Sequence, residues 1–139
     1  MTTLQRLLVS LWVLCLVALA GCNSTPEQQA ISAIQKLGGT VESEADGGIK
    51  IDLTGRIVTG NALAPLKDIK HLHTLILTAS PVSDADLQHL QGLQELKDLN
   101  LNLTKVTDAG MKYLAGLKTL EMLHLVGAKL TDAGLVQCA

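Results

Sequence analysis

The sequence predicts an α/β fold made by repetition. Short parallel strands should form a concave face, short helices a convex face, and a helical cap should precede them. Three observations predict this. Apolar residues recur in register every 24 residues from Ile51 onward. Each repeat alternates in its first half and turns to helical spacing in its second. Upstream, Ala30, Ile31, Ile34 and Leu37 mark one face of a separate amphipathic helix.

The period is visible in six columns. Ile51, Leu75, Leu99 and Leu123 align, followed by Leu53, Leu77, Leu101 and Leu125. Val58, Val82, Val106 and Leu130 come next, ahead of Thr59, Ser83, Thr107 and Thr131. Leu63, Leu87, Met111 and Leu135 lie in the second half, with Leu66, Leu90, Leu114 and Cys138 after them. A period of this length marks a solenoid, in which each repeat buries its apolar face against its neighbours. Leu75-Ile76-Leu77 and Leu99-Asn100-Leu101 alternate and predict strands with leucines inward. Thr107 is placed to cap a short helix, and Met111, Leu114 and Leu117 fall on its inner side. Ala109 and Ala133 are expected where the turn presses on the core.

Ahead of the repeats, Thr25 suits an N-cap, Pro26 the first helical position and Gln28 the capping-box position. Gly38-Gly39 should end that helix. Residues 40–43 are expected as a strand, and Asp46-Gly47-Gly48 as a turn. The chain thus divides into a targeting segment (1–21), a tether (22–26), an N-terminal cap (27–48) and repeats (49–139), the last of them incomplete.

The targeting segment carries Arg6 and then an apolar run over residues 7–20. A membrane-spanning helix needs roughly 20 residues, so the run has the length of a signal core. Leu19-Ala20-Gly21-Cys22 resembles the lipobox of bacterial lipoproteins. The resemblance implies cleavage between Gly21 and Cys22, diacylglycerol on the Cys22 sulfur and commonly a further acyl chain on the new terminus. It implies a lipid-anchored protein of the cell envelope with the membrane as partner. Asn23, where aspartate would retain an inner-membrane lipoprotein, points to the outer membrane in a cell that has two.

The repeats carry a resemblance of their own. Leu72/Leu75/Leu77, Leu96/Leu99/Leu101 and Leu120/Leu123/Leu125 match the leucine-rich-repeat signature Leu-x-x-Leu-x-Leu. Thr107-Asp108-Ala109-Gly110-Met111 and Thr131-Asp132-Ala133-Gly134-Leu135 resemble the bacterial "TDAGL" subclass, and residues 33–39 resemble its usual lead-in. The resemblance implies a right-handed arc and no particular activity. The column after the strand departs from it. The family places Asn or Thr there to bond the turn, and this chain has Arg56, Ser80, Thr104 and Ala128, so the first and last turns should be looser.

Composition narrows the function. Without Arg6 the chain keeps 10 basic against 13 acidic side chains, a net −3, which disfavours nucleic acid as partner. Trp12 falls in the targeting segment, Tyr113 is the one aromatic beyond it and there is no Phe, so stacking platforms are missing. Cys138 is the only cysteine after Cys22, and a single thiol closes no internal disulfide. It occupies a core column, where a small buried hydrophobe is expected.

The candidate binding face is the concave one. Its outward columns are Lys50, Thr74, Asp98 and Met122; Asp52, Ile76, Asn100 and His124; and Thr54, Thr78, Asn102 and Val126. Asp98, Asn100 and His124 are too poor a ligand set for a metal, and no metal or cofactor is expected. His71, His73 and His89 are expected at the surface. No nucleophile with a poised base stands out, so the chain should not be an enzyme. The leading expectation is a non-enzymatic protein-binding or scaffolding lipoprotein of the envelope. The alternative is a structural envelope component, or a fragment of a longer repeat protein, without a discrete partner. A homodimer through the apolar C-terminal end, with Cys138 in reach, is a further expectation.

Overall fold

The computed structural model describes residues 24–136 of the chain. The targeting segment, Gly21, Cys22 and Cys138 lie outside the described residues.

Helix α1 (Pro26–Lys36) begins where the capping chemistry places it. Thr25 accepts from the Gln28 N–H, and the Gln28 side chain returns to the Thr25 N–H, which satisfies two of the donors a helix start leaves open. Gly38, at φ 81°, turns the chain after the helix. Ala30 and Ile34 are its buried residues.

Five strands form one sheet in chain order: β1 (Thr40–Ser43), β2 (Ile49–Asp52), β3 (Leu72–Ile76), β4 (Asp98–Asn100) and β5 (Met122–His124). β1 pairs antiparallel with β2 through the turn at residues 44–48, and every later pair is parallel. The register sets Leu75 beside Leu99 and Leu99 beside Leu123, so the columns of the sequence become columns of the sheet. Main-chain bonds continue past the strand ends. Leu77 N–H donates to Asn100 O and Leu101 N–H to His124 O, then Ala79 to Asn102 and Leu103 to Val126, all at 2.8–2.9 Å. One parallel strand per 24-residue unit, each followed by a return segment, fits a leucine-rich-repeat fold.

The return segments differ from the expected helices in the first two units. Gly60–Asp68 and Asp86–Leu90 are 3-10 segments, and only α2 (Asp108–Met111) and α3 (Asp132–Leu135) are short α-helices. Pro65 lies inside the first segment and has no N–H to give an α-helical bond. In the second, Asp86 takes both the N–H and the hydroxyl of Ser83, so Ser83 does not cap and Ala85 takes the N-cap position.

Ile51, Leu53, Val58, Leu63 and Leu66, with their counterparts one and two units on, form one aliphatic core. Leu75, Leu77, Leu99 and Leu101 are fully buried, each contributing about 1.5–3 kcal/mol of burial. Ser80 and Thr104 are buried too. The Thr104 hydroxyl donates to Leu101 O within its own turn, as expected, whereas the Ser80 hydroxyl donates to Leu53 O of the preceding unit, both at 2.7 Å. Arg56 and Ala128 supply no hydroxyl of their own, but both turns keep their backbone bond, Arg56 N–H to Leu53 O and Ala128 N–H to Leu125 O.

Candidate functional site

Two sets of polar contacts run from unit to unit, one on the outward face of the sheet and one beyond the strand ends. On the outward face the register lines up Lys50, Thr74, Asp98 and Met122, and beside them Asp52, Ile76, Asn100 and His124. Lys50, Asp52, Thr74, Ile76, Asp98, Asn100 and Asn102 are partly buried, whereas Met122 and His124 are exposed.

Most polar members of this face are engaged, with one another or with the β1–β2 hairpin. The Asn100 carboxamide oxygen accepts from Thr78 Oγ1 at 2.9 Å and from the Asn102 N–H at 3.0 Å. Asn102, two residues on, reaches forward and accepts from the Val126 N–H of the next unit at 2.7 Å. The Thr74 hydroxyl donates to Glu44, and Lys50 lies 3.6 Å from Glu42. Burial works against the charge on Asp52, but its bonds from Thr54 outweigh that and hold its carboxyl below the usual range. Asp98 is the exception. Its Oδ1 is shielded from solvent and has no hydrogen bond, with His124 Nε2 3.3 Å away. The structure therefore brings Asp98 and His124 together, while the Asn100 carboxamide oxygen is engaged by Thr78 and Asn102.

A denser cluster lies at the start of the strands, where the β1–β2 turn closes over β3. His73 is not a surface residue: its side chain is only 12% exposed. The ring lies over Gly48, where a Cβ would come within 2.0 Å of Nδ1, so the glycine gives the imidazole its place. Asp46 Oδ2 lies 3.0 Å from His73 Nδ1 and accepts from Lys97 Nζ at 2.9 Å. The lysine and the Gly48 N–H hold the Asp46 carboxyl well below the ordinary carboxylate range. Glu44, Asp46 and His73 offer ligand atoms within 4.8 Å of one another, a spacing a metal ion could use. The Lys97 ammonium is already 3.1 Å from His73 Nδ1 and in contact with Asp46, so this trio has a cation of its own. Sequence reasoning missed the cluster because its members come from distant parts of the chain, Asp46 and Lys97 lying 51 residues apart. His71 is exposed as expected and meets Glu95 at 2.8 Å.

Beyond the strand ends, the Thr-Asp-Ala-Gly motif turns out to join units. Asp84 accepts the N–H and hydroxyl of Thr107, both at 2.7 Å. Asp108 does the same for Thr131, at 2.8 and 2.5 Å, and these bonds lower its carboxyl pKa. The glycine makes room for the arriving carboxylate. A Cβ on Gly110 would lie 2.5 Å from Asp84 Oδ1, and one on Gly134 2.2 Å from Asp108 Oδ1. Gly110 and Gly134 are buried, whereas Ala109 and Ala133 are exposed, so the glycines and not the alanines form the tight approach. The rule explains its own exception. Gly60 stands in the aspartate column and sends no carboxylate forward, and the next unit carries Asp86 where later units need glycine.

No helix among the described residues is long and apolar enough to cross a membrane. No protein-family model matches the chain, and no curated protein matches it. Among solved structures, the chain is similar to an internalin from Listeria monocytogenes at 24% identity and a TM-score of 0.39, an alignment covering 55% of this chain and 29% of the internalin.

Proposed function

We propose that the chain is a lipid-anchored envelope protein acting as a non-enzymatic protein-binding or scaffolding module. In this reading the units form a right-handed solenoid, α1 and β1 cap its first unit, and the sheet lines the concave side. Cys22 carries the lipid, and the short segment to Thr25 holds the module close to the membrane. The reading is carried by one observation above all. The outward columns of the sheet stack in parallel register over at least three units, which presents side chains as a surface and not as a pocket.

Nothing in the outward columns supplies a nucleophile with its base, and Asp98 and His124 without a third partner suit recognition better than turnover. The test has two parts. Cys22→Ser should abolish incorporation of labelled palmitate and move the protein to the aqueous phase of a detergent partition; a wild-type chain already in that phase ends the anchor reading. Recovery from gently solubilised membranes should return one recurring partner with the wild type and lose it with Asp98→Lys/His124→Glu. Recovery of no recurring partner favours a purely structural component.

A further inference from the structure

The turn between β1 and β2 brings two carboxylates to the imidazole of His73, and each of the three side chains is placed from its far side. Glu44 Oε1 accepts from the Thr74 hydroxyl at 2.9 Å. Asp46 Oδ1 accepts from the Gly48 N–H at 3.0 Å. The His73 ring is seated over Gly48, and its Nε2 faces Glu95 Oε2 at 3.9 Å, an oxygen that His71 Nδ1 meets at 2.8 Å. Three atoms are left gathered on the near side: Glu44 Oε2, Asp46 Oδ2 and His73 Nδ1. The two oxygens lie 3.9 and 3.0 Å from the nitrogen, and the ligand atoms of the three residues all lie within 4.8 Å of one another. Ligand atoms about 2.1 Å from a tetrahedral zinc ion stand about 3.4 Å apart. The separations from Nδ1 bracket that spacing, so small side-chain rotations suffice. Ligands oriented by partners of their own are how proteins prepare a metal site.

A cation already marks the position. The Lys97 ammonium lies 2.9 Å from Asp46 Oδ2 and 3.1 Å from His73 Nδ1. It is an incomplete partner. Glu44, Asp46 and Glu95 bring three negative charges to the cluster, and the ammonium brings one. Among the described residues it forms an ion pair with Asp46 and none with Glu44 or Glu95. Its side chain is 40% exposed and reaches in from the next unit on a flexible four-carbon stem, so it can withdraw without moving the hairpin.

We propose that Glu44, Asp46 and His73 bind a divalent transition-metal ion of the zinc type, with water as the fourth ligand, and that the ion displaces Lys97. One imidazole beside two carboxylates suits zinc, whereas calcium takes roughly six to eight oxygens. The ion joins the β1–β2 turn to β3, where His73 lies 27 residues beyond Asp46. It thus clips the first hairpin to the repeats. β1 is the edge strand and pairs with β2 alone among the described residues, so a clip adds most there. The sequence carries no expectation of a metal, because positions 44, 46 and 73 form no ligand motif until the turn folds over β3. The site stands whether or not Cys22 carries lipid and whatever the outward columns bind.

Titration of the full chain with zinc chloride tests the site, in non-ionic detergent and with free thiols alkylated so that no cysteine competes. Calorimetry should show one ion bound per chain at micromolar zinc, and magnesium at the same concentration should not bind. Zinc should slow hydrogen exchange severalfold at residues 44–48 and raise the urea midpoint. Nitrogen NMR should place the metal on Nδ1 of His73. Glu44→Gln and Asp46→Asn each keep the oxygen that the scaffold bonds and remove the charge, and each should weaken zinc binding about tenfold or more. His71→Ala, which touches the ligand set only through Glu95, should weaken it less. Lys97→Met removes the competing ammonium and should tighten binding severalfold. Absence of zinc binding by the wild-type chain overturns the proposal even if Lys97→Met binds, since lysine is then the permanent occupant. Affinity unchanged in Glu44→Gln or in Lys97→Met, a larger loss in His71→Ala than in Glu44→Gln, coordination through Nε2, or equal binding of magnesium overturns it as well.

Discussion

The unit around β4 and the unit around β5 share a sequence pattern but not an environment. Leu96, Leu99, Leu101 and Val106 are fully buried. Leu120, Leu123, Leu125 and Leu130, their counterparts 24 residues on, are only partly buried among the described residues. The column position assigns a leucine inward in both units. What completes its burial is a neighbour on each side, and β4 has β3 and β5 while, among the described residues, β5 is paired with β4 alone. The same contrast governs the polar joints. Asp84 and Asp108 each hold a threonine of the next unit, and for Asp132 no such bond is found among the described residues. In a repeat fold, stability belongs to the junctions as much as to the units.

The sharpest way to break this comparison is a matched pair of deletions. Leu99→Ala removes a fully buried side chain and should cost about 2–5 kcal/mol, whereas Leu123→Ala should cost less than half as much. Urea melts of the two variants measure both, and equal losses would mean that the last unit is as well covered as the central one. The junction itself is probed by Gly110→Ala, whose new methyl meets the Asp84 carboxylate. It should destabilise by about 1–3 kcal/mol. In an Asp84→Gly background, which reproduces the Gly60 and Asp86 arrangement on the carboxylate side, the same substitution should cost markedly less. Additive losses in that double-mutant cycle would sever the glycine from the aspartate.

Smaller effects refine the picture. Asn100→Ala removes an acceptor used by Thr78 and Asn102 and should cost about 1 kcal/mol, more than its outward position alone suggests. An effect near zero would mean that water replaces the carboxamide. The pH dependence follows from Asp46, Asp52 and Asp108, whose carboxyls lie lower in the folded chain than their ordinary values. A group depressed in this way stabilises the fold above its unfolded pKa, about 3.9 for aspartate, and loses that contribution as pH falls through the folded value. Urea midpoints should therefore hold near neutrality and decline below about pH 4. Asp108→Asn should flatten part of that decline, and an unchanged profile would show that the Thr131 bonds do not favour the ionised form.

The sequence by itself determined what depends on local chemistry and on period. The capping box at Thr25 and Gln28 concerns residues three apart, and backbone geometry alone brings them together. The 24-residue spacing places Leu75, Leu99 and Leu123 in one column because equal units stack equally. The outward columns follow at once, since strand side chains alternate. The contacts that only the tertiary structure decided join residues with no local relation. His73 was expected in solvent, yet the turn at residues 44–48 folds over it and Lys97 reaches in from the next unit. Hydropathy and spacing carry no information about which charge a turn will cover. The motif Thr-Asp-Ala-Gly shows both sides. Its recurrence was plain, and Thr107 was read as a cap, which it is. That Asp84 and Asp108 would reach forward to the next threonine, over a glycine kept bare for them, depends on how closely two units approach. That distance is set by the packing of the leucines between them.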